Sequence, residues 1–350
     1  MGAAKPDKVS AKKKATTAVL TKNDLSKKVT AQNKTVEKLD EELKKQRFSG
    51  TALVVKNGQI KLSQGYGQAD VLKDRKNQPK TTFPVASTAK ILTAILIGQQ
   101  VEKGKLSYDS PLQNYYPMVP NADQITVRDL LTMTSDLKQS KQPDQYTSEQ
   151  DNVDFSAENT ESSGGVLGTG SGWTYQPVNY RLLAGILMKV TGKSYQTLVN
   201  DLFNKKADLG ILFYPDFKKT TAFAKAYTFG SETERDITPV EYQRETGTGN
   251  VSMTTGQLYL LYQKFFSDKL IKHHQSLLEQ RLPAHYAAGL YGYGSVYEGH
   301  GIISGYESNV VLSHNGQDAV ILLSNQYDSD HSFQKLGQQF FTELTGEQAP

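Results

Sequence analysis

The chain has no cysteine and a single tryptophan among its 350 residues. Without cysteine there is no disulfide framework, no thiolate zinc site and no cysteine nucleophile. The six histidines, at 273, 274, 285, 300, 314 and 331, never fall as His-x-x-x-His with a carboxylate, so no metal is expected. The glycines never form Gly-x-Gly-x-x-Gly after a strand pattern and no Walker sequence occurs, so no cofactor is expected either. Long apolar runs are missing too. The longest, Ile91 to Ile97, is far too short to span a bilayer. The net charge of +4 is too mild to point to a nucleic-acid partner. Much of the positive charge sits near the start, where Lys5, Lys8, Lys12, Lys13, Lys14, Lys22, Lys27 and Lys28 face only Asp7 and Asp24. That run reads as a solvated tether or as an attraction to an anionic surface. With 37% hydrophobic and 22% charged residues, the remainder suits a globular protein with a substantial core.

The stretch around which the chain is organised is Phe83-Pro84-Val85-Ala86-Ser87-Thr88-Ala89-Lys90, which runs into the nearly charge-free segment Ile91–Gln100. The apolar segment predicts a buried helix with Ser87 at its first turn. Serine and lysine three residues apart then share a helical face. A serine hydroxyl is a weak nucleophile until a neighbour takes its proton, and an amine does so when burial disfavours its charged form. The helix start adds a partial positive field, and the serine's own N–H can face a developing oxyanion. Taken alone, Ser-x-x-Lys is also what a helix-capping serine and an ordinary lysine look like. A lysine opening an apolar helix, however, needs a reason to be buried.

Along the chain, residues 1–34 read as a lysine-rich disordered tether, and Val36, Leu39 and Leu43 mark a helix. Residues 50–56 and 59–64 read as a hairpin turning at Asn57-Gly58. Thr126 begins a capped helix. Residues 138–172 are polar, glycine-rich and without periodicity, which predicts a long loop forming a wall or lid of the site. Helices are expected over 179–190, 194–203, 254–266 and 332–344, and strands over 290–297, 300–306, 309–312 and 319–323. This order predicts an α/β (α+β) fold: an antiparallel sheet built from both chain ends, flanked by terminal helices, with an inserted helical lobe. One domain is expected over 35–345, its sheet lobe from 35–85 and 286–345 and its helical lobe from 86–285.

Matching segments occur in order along the chain: Phe48-Ser49-Gly50-Thr51-Ala52-Leu53-Val54, Gly65-Tyr66-Gly67-Gln68-Ala69-Asp70, Ser87-x-x-Lys90 and Gly104-Lys105-Leu106-Ser107-Tyr108-Asp109. They continue with Ile125-Thr126-Val127-Arg128-Asp129-Leu130-Leu131-Thr132, Tyr175 with Asn179-Tyr180-Arg181-Leu182-Leu183-Ala184-Gly185, then Gly249-Asn250-Val251 and His300-Gly301. Through them the chain resembles the serine β-lactamase and penicillin-binding protein superfamily, in its class C-like branch with related esterases and D-alanyl peptidases. The resemblance implies Ser87 as nucleophile, with Lys90 and Tyr175 sharing the proton. It implies an oxyanion hole from the Ser87 N–H and one from Ile302 or Ile303. It also sets His300, Gly301 and Pro177 beside the substrate. Trp173, two residues before Tyr175, lines the pocket or packs in the core.

Two departures bear on substrate. Family β-lactamases carry Tyr-x-Asn where this chain has Tyr175-Gln176-Pro177, and proline has no side-chain amide. They also carry Lys-Thr-Gly where this chain reads His300-Gly301-Ile302, one residue shorter than the His-x-Gly of esterase relatives. Losing the lysine disfavours a substrate carboxylate. The expected activity is therefore a D-alanyl esterase acting on a cell-wall polymer such as teichoic acid. The alternatives are a D,D-carboxypeptidase or weak β-lactamase, and a non-catalytic penicillin- or wall-binding protein. Asp151, Asp154, Glu158 and Glu161 are the candidates to hold a D-alanyl ammonium. The expected setting is the surface of a Gram-positive bacterium, as a monomer, with membrane contact only through a removed N-terminal anchor or leader.

Overall fold

The computed structural model describes residues 19–169, 172–235, 237–281 and 284–349. The chain enters through helices α1 (Lys22–Leu25) and α2 (Lys34–Lys45), then strands β1 (Gly50–Lys56) and β2 (Gln59–Tyr66). The helical lobe includes α3 (Lys90–Glu102), α4 (Glu149–Glu158), α5 (Val178–Thr191) and α6 (Thr255–Phe266). Strands β3 (Tyr286–Ala287), β4 (Leu290–Tyr293), β5 (Val296–Ile303), β6 (Tyr306–Ser313) and β7 (Ala319–Ser324) follow, and α7 (Gln334–Thr345) closes the chain.

These seven strands form one antiparallel sheet in the order β3-β4-β5-β6-β7-β1-β2, so that β1 from the start of the chain pairs with β7 near its end. Alternation along a strand sends successive side chains to opposite faces. Ala52 and Val54 of β1 pack with Val36, Leu39 and Leu43 of α2 and Phe340 and Phe341 of α7. Leu53 and Val55 face the larger core, with Ile91, Leu92 and Ile95 of α3. A sheet covered on both faces explains why its central strands read as continuous apolar runs. Helix α3 is buried all round from Lys90 to Gly98, as the charge-free run that follows Lys90 requires. The Asn57-Gly58 and Asn315-Gly316 turns carry positive φ at Asn57, Gly58 and Gly316.

Three expectations need correction. The described part of the tether, residues 19–34, is folded against the domain. Thr21 and Asp24 cap α1 reciprocally, Leu25 is buried against Gly256 of α6, and Val29 bridges to Ser63. Residues 1–18 lie outside the described residues. The long loop at 138–172 contains α4, capped by the Ser148 side chain, and a short hairpin pairing residues 137–139 with 160–162. The turn expected after Tyr297 falls at Gly294, where φ is +57°, and β5 begins at Val296. Among the described residues no helix is long and apolar enough to cross a membrane.

Candidate active site

The site begins with a bend before α3. The Val85 N–H donates to Val251 O (3.1 Å), while Val85 O accepts from the hydroxyls of Thr88 and Ser308, each at 2.7 Å. Pinned in this way, the chain holds Ala86 at φ +46°, a left-handed conformation that costs a non-glycine residue about 1–2 kcal/mol. Gly249 makes this possible from the other side, since a Cβ there would lie 2.8 Å from Ala86 Cα. The bend presents Ser87 to a cleft while the following residues sink into the core.

Lys90 is wholly buried, one turn from Ser87. Its Nζ donates to Ser87 Oγ at 2.7 Å and to the Tyr175 hydroxyl at 3.0 Å. It also lies 5.1 Å from the centre of the Tyr175 ring and 5.9 Å from that of Tyr180. Among the described residues no carboxylate comes within 4.0 Å of this amine. Glu245 acts on it from farther away. Burial works to raise the Glu245 carboxyl, but Arg181 at 3.0 Å, the Thr248 hydroxyl, Lys90 and Arg244 together hold it below the usual carboxylate range. Tyr175 precedes α5 and is braced edge-on by Tyr286, 5.8 Å between ring centres. The structure thus brings Ser87, Lys90 and Tyr175, distant in sequence, into one hydrogen-bonded group.

Strand β5 forms the opposite wall. A Cβ at Gly301 would fall 2.7 Å from Ser87 N and 2.6 Å from Val85 O, so only glycine lets this strand lie against the serine's amide. Gly299 occupies the same face two residues earlier and looks onto Thr88 and Tyr262. His300 takes the other face, its Nε2 2.9 Å from Glu307, a buried carboxylate that also accepts from the Ser332 hydroxyl and Phe333 N–H. The cleft has a volume of about 690 Å³, and Ser87, Tyr175, Pro177, His300, Gly301, Ile302 and Ile303 all line it.

Other expectations shift. Trp173 does not line the cleft; it is half-buried against the main core. Asp151, Asp154, Glu158 and Glu161 lie on α4 and its hairpin, away from the cleft, with Asp154 bonded to Gln150 and Glu161 paired with Lys138. The acids that do line it are Glu241, Glu245 and Glu298. Sequence reasoning missed all three because the fold, not the sequence, brings the 241–245 segment to Glu298. The one local signal was Glu241 and Glu245 spaced four apart beside a Thr238-Pro239 helix start. Among the described residues no group of three His, Cys, Asp or Glu is placed to hold a metal.

Comparison with known proteins places the chain that carries this site. The family model described as Beta-lactamase matches residues 33–339, and the chain belongs to that family. It is a serine hydrolase of the β-lactamase and penicillin-binding protein fold. It is 32% identical over 312 residues to a protein of Bacillus subtilis named as the penicillin-binding protein PbpX, covering 87% of this chain and 78% of that one. It is 31% identical over 242 residues to the teichoic acid D-alanine hydrolase of Staphylococcus aureus strain MRSA252, covering 67% of this chain and spanning 59% of that hydrolase's length. Among solved structures, FmtA from Staphylococcus aureus superposes with a TM-score of 0.78 at 24% identity, over 93% of this chain and 91% of that one. The D-amino acid amidase of Ochrobactrum anthropi SV3 superposes with a TM-score of 0.70 at 20% identity, over 89% and 97%. At these identities the structural likeness is one of fold.

Proposed function

We propose that the chain is a cell-surface hydrolase of a Gram-positive bacterium that removes D-alanyl groups from a cell-wall polymer such as teichoic acid. The observation that carries this is Lys90 Nζ, held at 2.7 Å from Ser87 Oγ and 3.0 Å from the Tyr175 hydroxyl, at the edge of a cleft lined, among the described residues, by three carboxylates and no lysine. Ser87 Oγ attacks the ester carbonyl, and its proton passes to the Lys90–Tyr175 pair. The polymer hydroxyl leaves with that proton, and the D-alanyl group remains as an ester on Ser87. Water, deprotonated by the same pair, then releases D-alanine and restores the serine.

The oxyanion is held by the Ser87 N–H and that of Ile302. The Ser304-Gly305 turn between β5 and β6 has positive φ at both residues, as in a two-residue hairpin. There the flanking pair, Ile303 and Tyr306, exchanges hydrogen bonds, and the next pair outward does not. The Ile303 N–H is therefore occupied, and the Ile302 N–H faces the open edge of the strand. The named activity of the staphylococcal relative supports the substrate class.

A second reading rests on Arg244, which lines the cleft and could hold the carboxylate of a D-alanyl-D-alanine peptide. One experiment separates the two: incubation with D-alanylated teichoic acid and with such a peptide, measuring free D-alanine. Release from the polymer and not the peptide is expected. Release from the peptide alone would make the protein a carboxypeptidase.

A further inference from the structure

The cleft does not end at Ser87. Strand β4 pairs with β5 only from Val296 to Glu298, so residues 299–303 form a free edge. The same cavity that contains Ser87 and Tyr175 also reaches Glu298, His300, Gln334 and Gln338, which belong to the opposite face of the sheet, under α7. It therefore wraps around the strand edge. A row of rings accompanies it from the catalytic face: Tyr175, Tyr286, Tyr291 and Tyr293, at successive centre distances of 5.8, 4.9 and 6.5 Å.

Glu298 is the unusual group at the far end. It is 2% exposed. Its Oε1 accepts from Asn309 Nδ2 (3.1 Å) and Gln334 Nε2 (2.8 Å), and its Oε2 from Gln338 Nε2 (2.9 Å). All three donors are neutral amides, and among the described residues no cationic nitrogen lies within 4.0 Å. The nearest imidazole on its face, His300, is engaged by Glu307. A buried carboxylate is ordinarily matched by a cation. These donors fill three of a carboxylate's roughly four acceptor positions, and Glu298 lines the cleft together with Tyr291, its partner across the strands, and Tyr293.

We infer that Glu298, with Gln334 and Gln338, forms a second subsite that takes an ammonium group of the substrate, across the strand edge from Ser87. This rests on the polymer-hydrolase reading and deepens it. Gly301 lies against Ser87, and Glu298 is three strand residues away, about 10 Å along the strand. The ammonium of the D-alanyl group under attack sits one carbon from the attacked carbonyl and cannot reach so far. The group that meets Glu298 belongs to a neighbouring D-alanylated unit of the same polymer. The enzyme then works best on densely D-alanylated stretches and slows as it strips them.

The test is binding and turnover of teichoic acid in two forms, D-alanylated and stripped of its esters by mild base. In a Ser87→Ala background, which prevents turnover, Glu298→Gln should weaken binding of the D-alanylated polymer about tenfold and leave the stripped polymer unaffected. In the active enzyme the same change should raise KM for the polymer about tenfold, with kcat within twofold. Gln338→Lys, which sets an internal ammonium against Glu298, should produce the same loss and guards against misfolding of the first variant. Equal binding by the parent and both variants overturns the subsite, as does equal weakening toward both polymers. So does a Ser87→Ala protein that does not prefer the D-alanylated form. Glu298-dependent binding without D-alanine release by the unmodified enzyme would keep the subsite and overturn the hydrolase reading instead.

Discussion

Two glycines on the same face of β5 should behave very differently when each is changed to alanine. At Gly301 an added Cβ would stand 2.6 Å from Val85 O and 2.7 Å from both Ser87 N and Ser308 Oγ. Two of these atoms are backbone, and ordinary contact begins near 3.4 Å, so strand and serine must part by about 0.7 Å. A displacement approaching 1 Å at a reacting centre costs on the order of a hundredfold in rate, or about 2.7 kcal/mol of transition-state stabilisation. Overpacking adds a stability loss of about 1–3 kcal/mol. At Gly299 the nearest atoms are the ends of side chains: Tyr262 Oη at 3.2 Å, Leu290 Cδ2 at 3.4 Å and Thr88 Cγ2 at 3.5 Å. Gly299→Ala should therefore stay within about threefold of wild type, given how little its neighbours must shift. The assay is the acylation rate with an activated ester, alongside thermal unfolding. Wild-type acylation of Gly301→Ala, or equal damage from both changes, would refute the idea that β5 and the serine's amide meet as described.

Because nucleophile and base act as a unit, Lys90→Ala should cost on the order of a thousandfold or more in ester turnover; Tyr175→Phe should cost roughly a hundredfold while the ring keeps its contact with Tyr286 and thermal stability is unchanged. β-Lactams should react slowly, since Pro177 supplies no amide and His300 is held by Glu307; intact mass after incubation with penicillin checks this, and rapid multi-turnover hydrolysis would contradict it. Arg181→Ala removes the partner of Glu245 and should destabilise the fold by about 3 kcal/mol. The Glu245 carboxyl is depressed in the folded state, so its contribution is complete above the usual carboxylate range and lost as pH falls through the lowered value. Denaturant titrations across acidic pH should show that loss in the wild type and a flatter profile in the variant.

The parts of this protein that sequence reasoning located are those whose signal is local or shared with a family. Ser87 and Lys90 are three residues apart at the head of a long apolar run, and Tyr175 is anchored by the Asn179-Tyr180-Arg181 run that follows it. Helix α4 escaped notice because the face it buries is made largely of Asn152, Ser156 and Ala157, which hydrophobic periodicity does not register. Helix α1 is a single turn whose only apolar anchor is Leu25, although its Thr21–Asp24 box was present in the sequence. The tryptophan's position and the acids of the cleft depend on which segments the fold brings together. Glu298 sits on a strand, Glu241 and Glu245 come from a distant segment, and no spacing relates that segment to Glu298.

The most direct test of the catalytic core is where a serine-directed fluorophosphonate attaches. Intact-mass measurement followed by peptide mapping should find one adduct, on Ser87, formed rapidly by the wild type, far more slowly by Lys90→Ala, and not at all by Ser87→Ala. An adduct on another residue, or ester turnover that survives in Ser87→Ala, would contradict the assignment of Ser87, Lys90 and Tyr175 as the acyl-transfer centre.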